Sequence, residues 1–232
     1  IIKTKQDNTT KTYGKFLMVV PEVSKSCEKK LKKNASQFAY EKFGIVGNVE
    51  YENKKITMGT MQESMGENLG FQKIKGKWPQ TSDQIVVEEY LLELFGENQE
   101  MLPAYVTLQK DGESTRYEIT GVISNYSFQL STPIGTDYKK NVYPSIICGK
   151  KGATITAQSV VILQKKLNFE SAEDDIWYVL DQISTDTVCG NHHLESGYAE
   201  NADIMTARWI YILLVNISGL TGKIFTILIT KA

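Results

Sequence analysis

The only two histidines of the chain stand side by side in Cys189-Gly-Asn-His192-His193-Leu-Glu195. A thiolate and two imidazoles this close could hold zinc or copper. Adjacent histidines point in different directions on a strand or a helix, and the sequence offers no second ligand cluster. A plain polar loop is the simpler reading. Gly219-Leu-Thr-Gly222-Lys223 has the outline of a phosphate-binding loop. That loop needs four residues between its glycines and Ser or Thr after the lysine, and here Ile224 follows. No GxSxG elbow exists for a serine hydrolase. Glu88-Glu89 and Asp174-Asp175 are adjacent carboxylates. A glycosidase pair can be assembled from distant residues, but helix-start charge and solvated faces explain these acids more simply. Cys27-Glu-Lys-Lys-Leu-Lys-Lys33 could touch acidic lipid or wall polymer, with a solvated helix face as the plainer account. Trp78-Pro79, Tyr126 and Phe128 are aromatic loop positions, suited to packing or to contact with a partner. The chemistry search therefore names no catalytic residue, no metal ligand and no cofactor site.

The totals narrow the class further. Lys plus Arg is 26 and Asp plus Glu is 27 in 232 residues, so the net charge is -1. A nucleic-acid binder would carry a basic excess. Cys27, Cys148 and Cys189 form no CxxC pair, and an odd, sparse set argues against a disulfide framework. The opening IIKTKQDNTTKTYGK lacks the apolar core of a signal peptide. Trp209 to Ile229 (WIYILLVNISGLTGKIFTILI) comes close to the roughly 20 apolar residues that span a bilayer. It also holds Asn216, Ser218 and Lys223, and a central lysine costs about 2.5–3.5 kcal/mol on insertion scales. A membrane span and a buried core helix both fit this segment.

The elements that would position any site alternate in type. Lys15–Val20 reads as a strand. A helix is expected from Pro21-Glu22, with Val23, Cys27, Leu31, Phe38 and Ala39 on one face and Gly44 as its cap. Ile45–Tyr51 and Lys55–Met58 read as strands joined at Glu52-Asn53-Lys54. Met61–Lys75 reads as a loop or a short element. Gln84–Val87 is a strand that runs into a helix over Glu88–Phe95, stopped by Gly96. Tyr105–Gln109 and Thr115–Val122 form a hairpin at Asp111-Gly112. Asn141–Cys148 and Ser159–Leu163 are further strands, and Ser171–Ile183 is a helix with Ser171 as its N-cap. A last helix is expected from near Asn201 into the apolar tail. The pattern is α+β: mixed sheets with packed helices in two subdomains, one holding the N-terminal strand–helix–strand unit and the other the Asp111-Gly112 hairpin.

Gly76-Lys-Trp-Pro79, a polar turn, Asp83-Gln84-Ile85-Val86-Val87 and a helix ending Leu94-Phe95-Gly96 resemble a recurring unit. It is similar to the extracytoplasmic core domain of FtsX-like and MacB-like ABC transporter permeases of Gram-positive type. The family glutamate before the isoleucine is Gln84 here. Tyr13-Gly14 before an apolar strand resembles the segment just after the first membrane helix. Tyr117-Glu-Ile-Thr-Gly121-Val-Ile with Asn125-Tyr126, then Tyr143-Pro-Ser-Ile-Ile147, resemble later family strands. Asn191, Tyr198 and the run into Trp209 resemble the descent into the second membrane helix. Each motif is weakly specific, but their order covers nearly the whole chain.

The resemblance implies a MacB-like extracellular domain over 1–208 and the start of a transmembrane helix over 209–232. The chain would lie between two spans of a longer permease in the cell membrane. Family membership further implies a non-catalytic domain that binds a substrate or accessory protein. It would work through the full permease with a cytoplasmic ABC ATPase, and peptides, lipoproteins and cell-wall hydrolases are the partner classes. No cofactor and no nucleic acid is implied. The competing expectation is a stand-alone secreted enzyme or sugar-binding domain with the tail as a core helix.

Overall fold

The structure is a computed structural model and describes residues 2–130, 142–166, 172–183, 188–191 and 194. The expected helix near Asn201, the Ser171 cap and the Trp209–Ile229 segment lie outside the described residues. One mixed sheet organises the chain, with strand order β10-β1-β9-β2-β3-β8-β5-β7-β4 and β6 bridging β2 and β7. Its longest strands are β2 (Phe38–Tyr51) and β7 (Glu113–Ile123), and helices pack on both faces. The fold is α+β.

The bridging strand β6 (Ala104–Lys110) closes part of the sheet on itself. Going round, β2 pairs with β3 (Lys54–Thr60), β3 with β8 (Ile146–Cys148), and β8 with β5 (Gln84–Glu88). β5 then pairs with β7, β7 with β6, and β6 returns to β2 through Gln109 and Glu50. Alternation fills this circuit, as the two-residue period of a strand requires. Ala104, Val106 and Leu108 point inward beside Val49, Met58, Ile85 and Ile119, while Tyr105 is exposed. Both hairpins have the left-handed turn residues that two-residue hairpins need: Glu52 and Asn53, and Asp111 and Gly112. Helix α4 (Glu89–Leu94) adds Leu91 and Leu92 to the same core. It stops where Gly96 takes a positive φ of 72° and the Glu97 N–H reaches the Leu92 carbonyl at 3.1 Å.

The other half is open sheet. β1 (Phe16–Val20) lies between β9 (Ala157–Gln164) and the short β10 (Cys189–Gly190). On one face, Leu17, Met18, Val160 and Ile162 meet Cys27 and Leu31 of α2 (Lys25–Lys33) and Ile176 and Val179 of α5 (Ala172–Ile183). On the other, Phe16, Phe43 and Val161 pack with Met65 and Leu69 of α3 (Met65–Leu69) and with Tyr126 and Tyr143.

Several expectations are corrected. The helix after β1 starts at Lys25 with Ser24 as N-cap, whose side chain accepts from the Cys27 N–H at 3.1 Å. It ends at Lys33, because Phe38 and Ala39 pair with Gln164 and Leu163 in β2. Gly44 is therefore a mid-strand residue opposite Thr60, and Asn34 is the C-cap. Met61–Lys75 contains α3 and the start of β4 (Lys73–Gly76). The strand expected over Asn141–Cys148 is only Ile146–Cys148, since residues 142–145 run past β5 as a loop. A helix not anticipated at all, α1 (Ile2–Tyr13), is polar and carries no apolar stripe.

Candidate functional site

Two buried polar hubs hold this architecture. The first is Glu88, the last residue of β5, which is fully buried. Its Oε1 accepts from the backbone N–H of Tyr126 at 2.5 Å and of Ser127 at 2.7 Å, and its Oε2 accepts from Ser127 Oγ at 2.6 Å. Ser127 Oγ lies 3.0 Å from Ser145 Oγ, and the Glu88 N–H donates to the Ser145 carbonyl at 3.1 Å. Two residues further, the Tyr90 N–H donates to Asn125 Oδ1 at 3.1 Å. Tyr126 donates its phenol to the Pro144 carbonyl at 2.8 Å. Burial pushes the Tyr126 phenol well above its ordinary range, and the Glu88 charge beside it adds to the rise. The carboxylate fastens the β5–α4 corner to the loop after β7, and the Glu88 N–H and Ser127 Oγ tie in the loop before β8. A buried charge persists only where donors surround it, and here they do. These bonds make the hub a stiff crosslink within the fold.

The second hub joins β1 and the segment before it to the residue after β10. Asn191 is 1% exposed. Its Nδ2 faces three carbonyls of the entering chain: Phe16 at 2.9 Å, Tyr13 at 3.3 Å and Gly14 at 3.4 Å. Its own N–H donates to Leu17 at 2.8 Å. An amide nitrogen has only two hydrogens, so it cannot serve three carbonyls fully at once. Asn191 Oδ1 has no partner among the described residues. On the other side of the entering chain, the Lys15 N–H donates to the Asn68 carbonyl at 2.9 Å. Gly14 and Gly70 both have positive φ, 81° and 78°, and a Cβ on Gly14 would stand 2.2 Å from Asn68 O. Only glycine allows that close approach. Beside this clasp a cavity of about 320 Å³ opens between α1 and α3, lined by Thr10, Lys11, Lys15, Glu67 and Phe71. Lys15 forms an ion pair with Glu67 across its mouth.

The sequence candidates fall as follows. Glu88 is not part of a solvated helix start, as its sequence context suggested; it is the first hub. Glu89 accepts instead from Gln99 Nε2 at 2.9 Å. Asp174 is exposed, and Asp175 is half-buried and accepts from Gln164 Nε2. Cys189 points into the core beside Tyr143, where burial pushes its thiol up to about 12. His192, His193, Glu195 and the Gly219–Lys223 loop lie outside the described residues. Among the described residues, no three His, Cys, Asp or Glu side chains converge to hold a metal. The α2 lysines are exposed around buried Cys27 and Leu31. Trp78 is a packing residue: it stacks on Phe71 at 6.2 Å and donates its indole N–H to the Met61 carbonyl at 3.0 Å. Tyr126 is also packing. Phe128 alone of these aromatics stands in solvent, 71% exposed.

No family model and no curated protein matches the chain. Solved structures do. The periplasmic region of MacB from Actinobacillus actinomycetemcomitans is 11% identical, with 84% of this chain and 98% of that one covered and a TM-score of 0.43. The chain is similar to permease domains that stand outside the membrane. A permease-protein domain from Porphyromonas gingivalis is 10% identical over 73% of this chain and 84% of its own, with a TM-score of 0.39. The extracellular domain of the noncanonic ABC-type transporter YknZ from Gram-positive bacteria is 9% identical over 75% and 98%, with a TM-score of 0.33. These are the same kind of domain as the one the sequence motifs resemble. Among the described residues no helix is long and apolar enough to cross a membrane.

Proposed function

We propose that this chain is a non-catalytic extracytoplasmic domain of an ABC transporter permease, carried between two membrane segments and coupled through them to a cytoplasmic ATPase. The supporting observation is the Asn191 clasp. It binds the entering chain at Tyr13–Leu17 to the leaving chain at the same point of the fold, so a movement of either end reaches the sheet through one joint. The apolar run Trp209–Ile229 follows the leaving chain in sequence and suits the second span. Residues 1–208 form the extracellular part in this reading, and 209–232 begin the span. Closure of the ATPase would shift the population of two clasp arrangements and tilt the stiff β5–α4 half as a unit.

The sidedness is directly testable, because Cys27, Cys148 and Cys189 are all buried. The protein without the substitution is the control, and Phe128→Cys adds an accessible thiol to this domain. A membrane-impermeant maleimide should label it in intact cells. Labelling only after lysis would overturn the reading.

A further inference from the structure

The segment from Glu88 to Gln109 contains Glu88, Glu89, Glu93, Glu97 and Glu100 and no lysine, arginine or histidine. Only Glu88 of these acids is buried. The two most exposed large apolar side chains of the described residues stand in or beside this acidic surface: Met101, 70% exposed, and Phe128, 71% exposed. Phe128 is not on a loose loop. Its neighbours Tyr126 and Ser127 are bonded to the Glu88 carboxylate, the Gln129 N–H closes a turn onto the Tyr126 carbonyl at 3.0 Å, and its ring contacts Tyr90 at 4.8 Å between centroids. The hydrogen bond from Gln99 to Glu89 folds the 3₁₀ turn Gln99–Met101 back onto the start of α4, next to Tyr90.

We infer that this surface docks a polypeptide partner that presents a cationic amphipathic helix. Apolar residues held rigidly in solvent are the form that interface anchors take, because little freedom is lost when they bind. The surrounding acids select basic flanks on the partner and repel an anionic lipid surface. The inference names the kind of partner for the binding role proposed above and rests on that role. Its failure is separable, since the maleimide experiment reads sidedness and the one below reads binding.

The probe is a fluorescent synthetic helix of repeating Leu-Lys-Lys-Leu, titrated by anisotropy against the purified full chain. A Leu-Glu-Glu-Leu helix of equal length serves as control. The wild-type chain should bind the basic helix and not the acidic one. Phe128→Ala with Met101→Ala should weaken binding about tenfold. Glu93→Gln with Glu97→Gln and Glu100→Gln should weaken it about threefold or more and flatten its salt dependence. Trp177→Ala, on the exposed face of α5, should leave it unchanged. All these positions are on the surface, and unchanged thermal melts confirm that the variants fold. Equal binding by wild type and both sets of variants overturns the inference. So does loss of binding with Trp177→Ala alone, or Phe128-dependent binding to phosphatidylcholine vesicles in place of the helix.

Discussion

Glu88 and Asn191 are both buried polar side chains that tie together distant pieces of chain, but they are satisfied differently. Glu88 offers a charged acceptor to three donors at 2.5–2.7 Å, all held by local turns. Asn191 offers one amide nitrogen to three carbonyls at 2.9–3.4 Å and leaves its oxygen without a partner among the described residues. Short charge-assisted bonds with no alternative fix one geometry. Long shared bonds hold a geometry less tightly. The first hub sits at the end of β5, opposite Ile123 of β7. The second sits where the segment entering β1 meets the residue after β10. The contrast is between a stiff body and a yielding joint, which suits the role proposed above.

Substitution should separate the two hubs. Glu88→Ala leaves two backbone N–H groups buried without acceptors, which should cost roughly 3–5 kcal/mol in a urea melt. Gly14→Ala forces a Cβ against Asn68 at a positive φ and should cost more than about 1 kcal/mol. Asn191→Ala should cost less than Glu88→Ala, about 1–2 kcal/mol, because its bonds are longer and shared. If the two hub substitutions cost the same, the contrast between them fails. The next effect is on pH. Burial pushes Cys148 up to about 11 and Cys189 up to about 12. The folded chain then holds protons that the unfolded chain releases above about pH 8.5, so stability is full below that pH and falls as it rises toward 11–12. The urea midpoint should drop between pH 7.5 and 9.5, and Cys148→Ala with Cys189→Ala should remove most of that drop. Smallest of all, Phe128→Ala should move stability by less than about 0.5 kcal/mol, since its ring is in solvent.

The two hubs also differ in how far the sequence betrays them. The strand Gln84–Val87, the helix to Gly96 and the Asp111-Gly112 hairpin were legible because period and turn chemistry are local. Glu88 was not, because an acid at the start of a helix has an ordinary explanation in the helix dipole. The informative feature was its place directly after three apolar strand residues, where an inward side chain is the alternative. The helix run-on to Gly44 failed because Phe38 and Ala39 continue a helical spacing by coincidence, and pairing with β9 decides their state. Asn191 binds Phe16 across 175 residues of sequence, so no local pattern could show the clasp. Phe128 was recognised as an aromatic loop position, and only its exposure separates it from Trp78 and Tyr126.

Native-state amide hydrogen exchange on the full chain tests the stiff-body, yielding-joint account most directly. The Tyr126 and Ser127 amides, bonded to Glu88, should exchange only through global unfolding. The Asn191 and Lys15 amides, which hold the clasp, should exchange through a local opening of distinctly lower free energy. Equal protection at the two hubs, or earlier exchange at Tyr126 and Ser127, would contradict it.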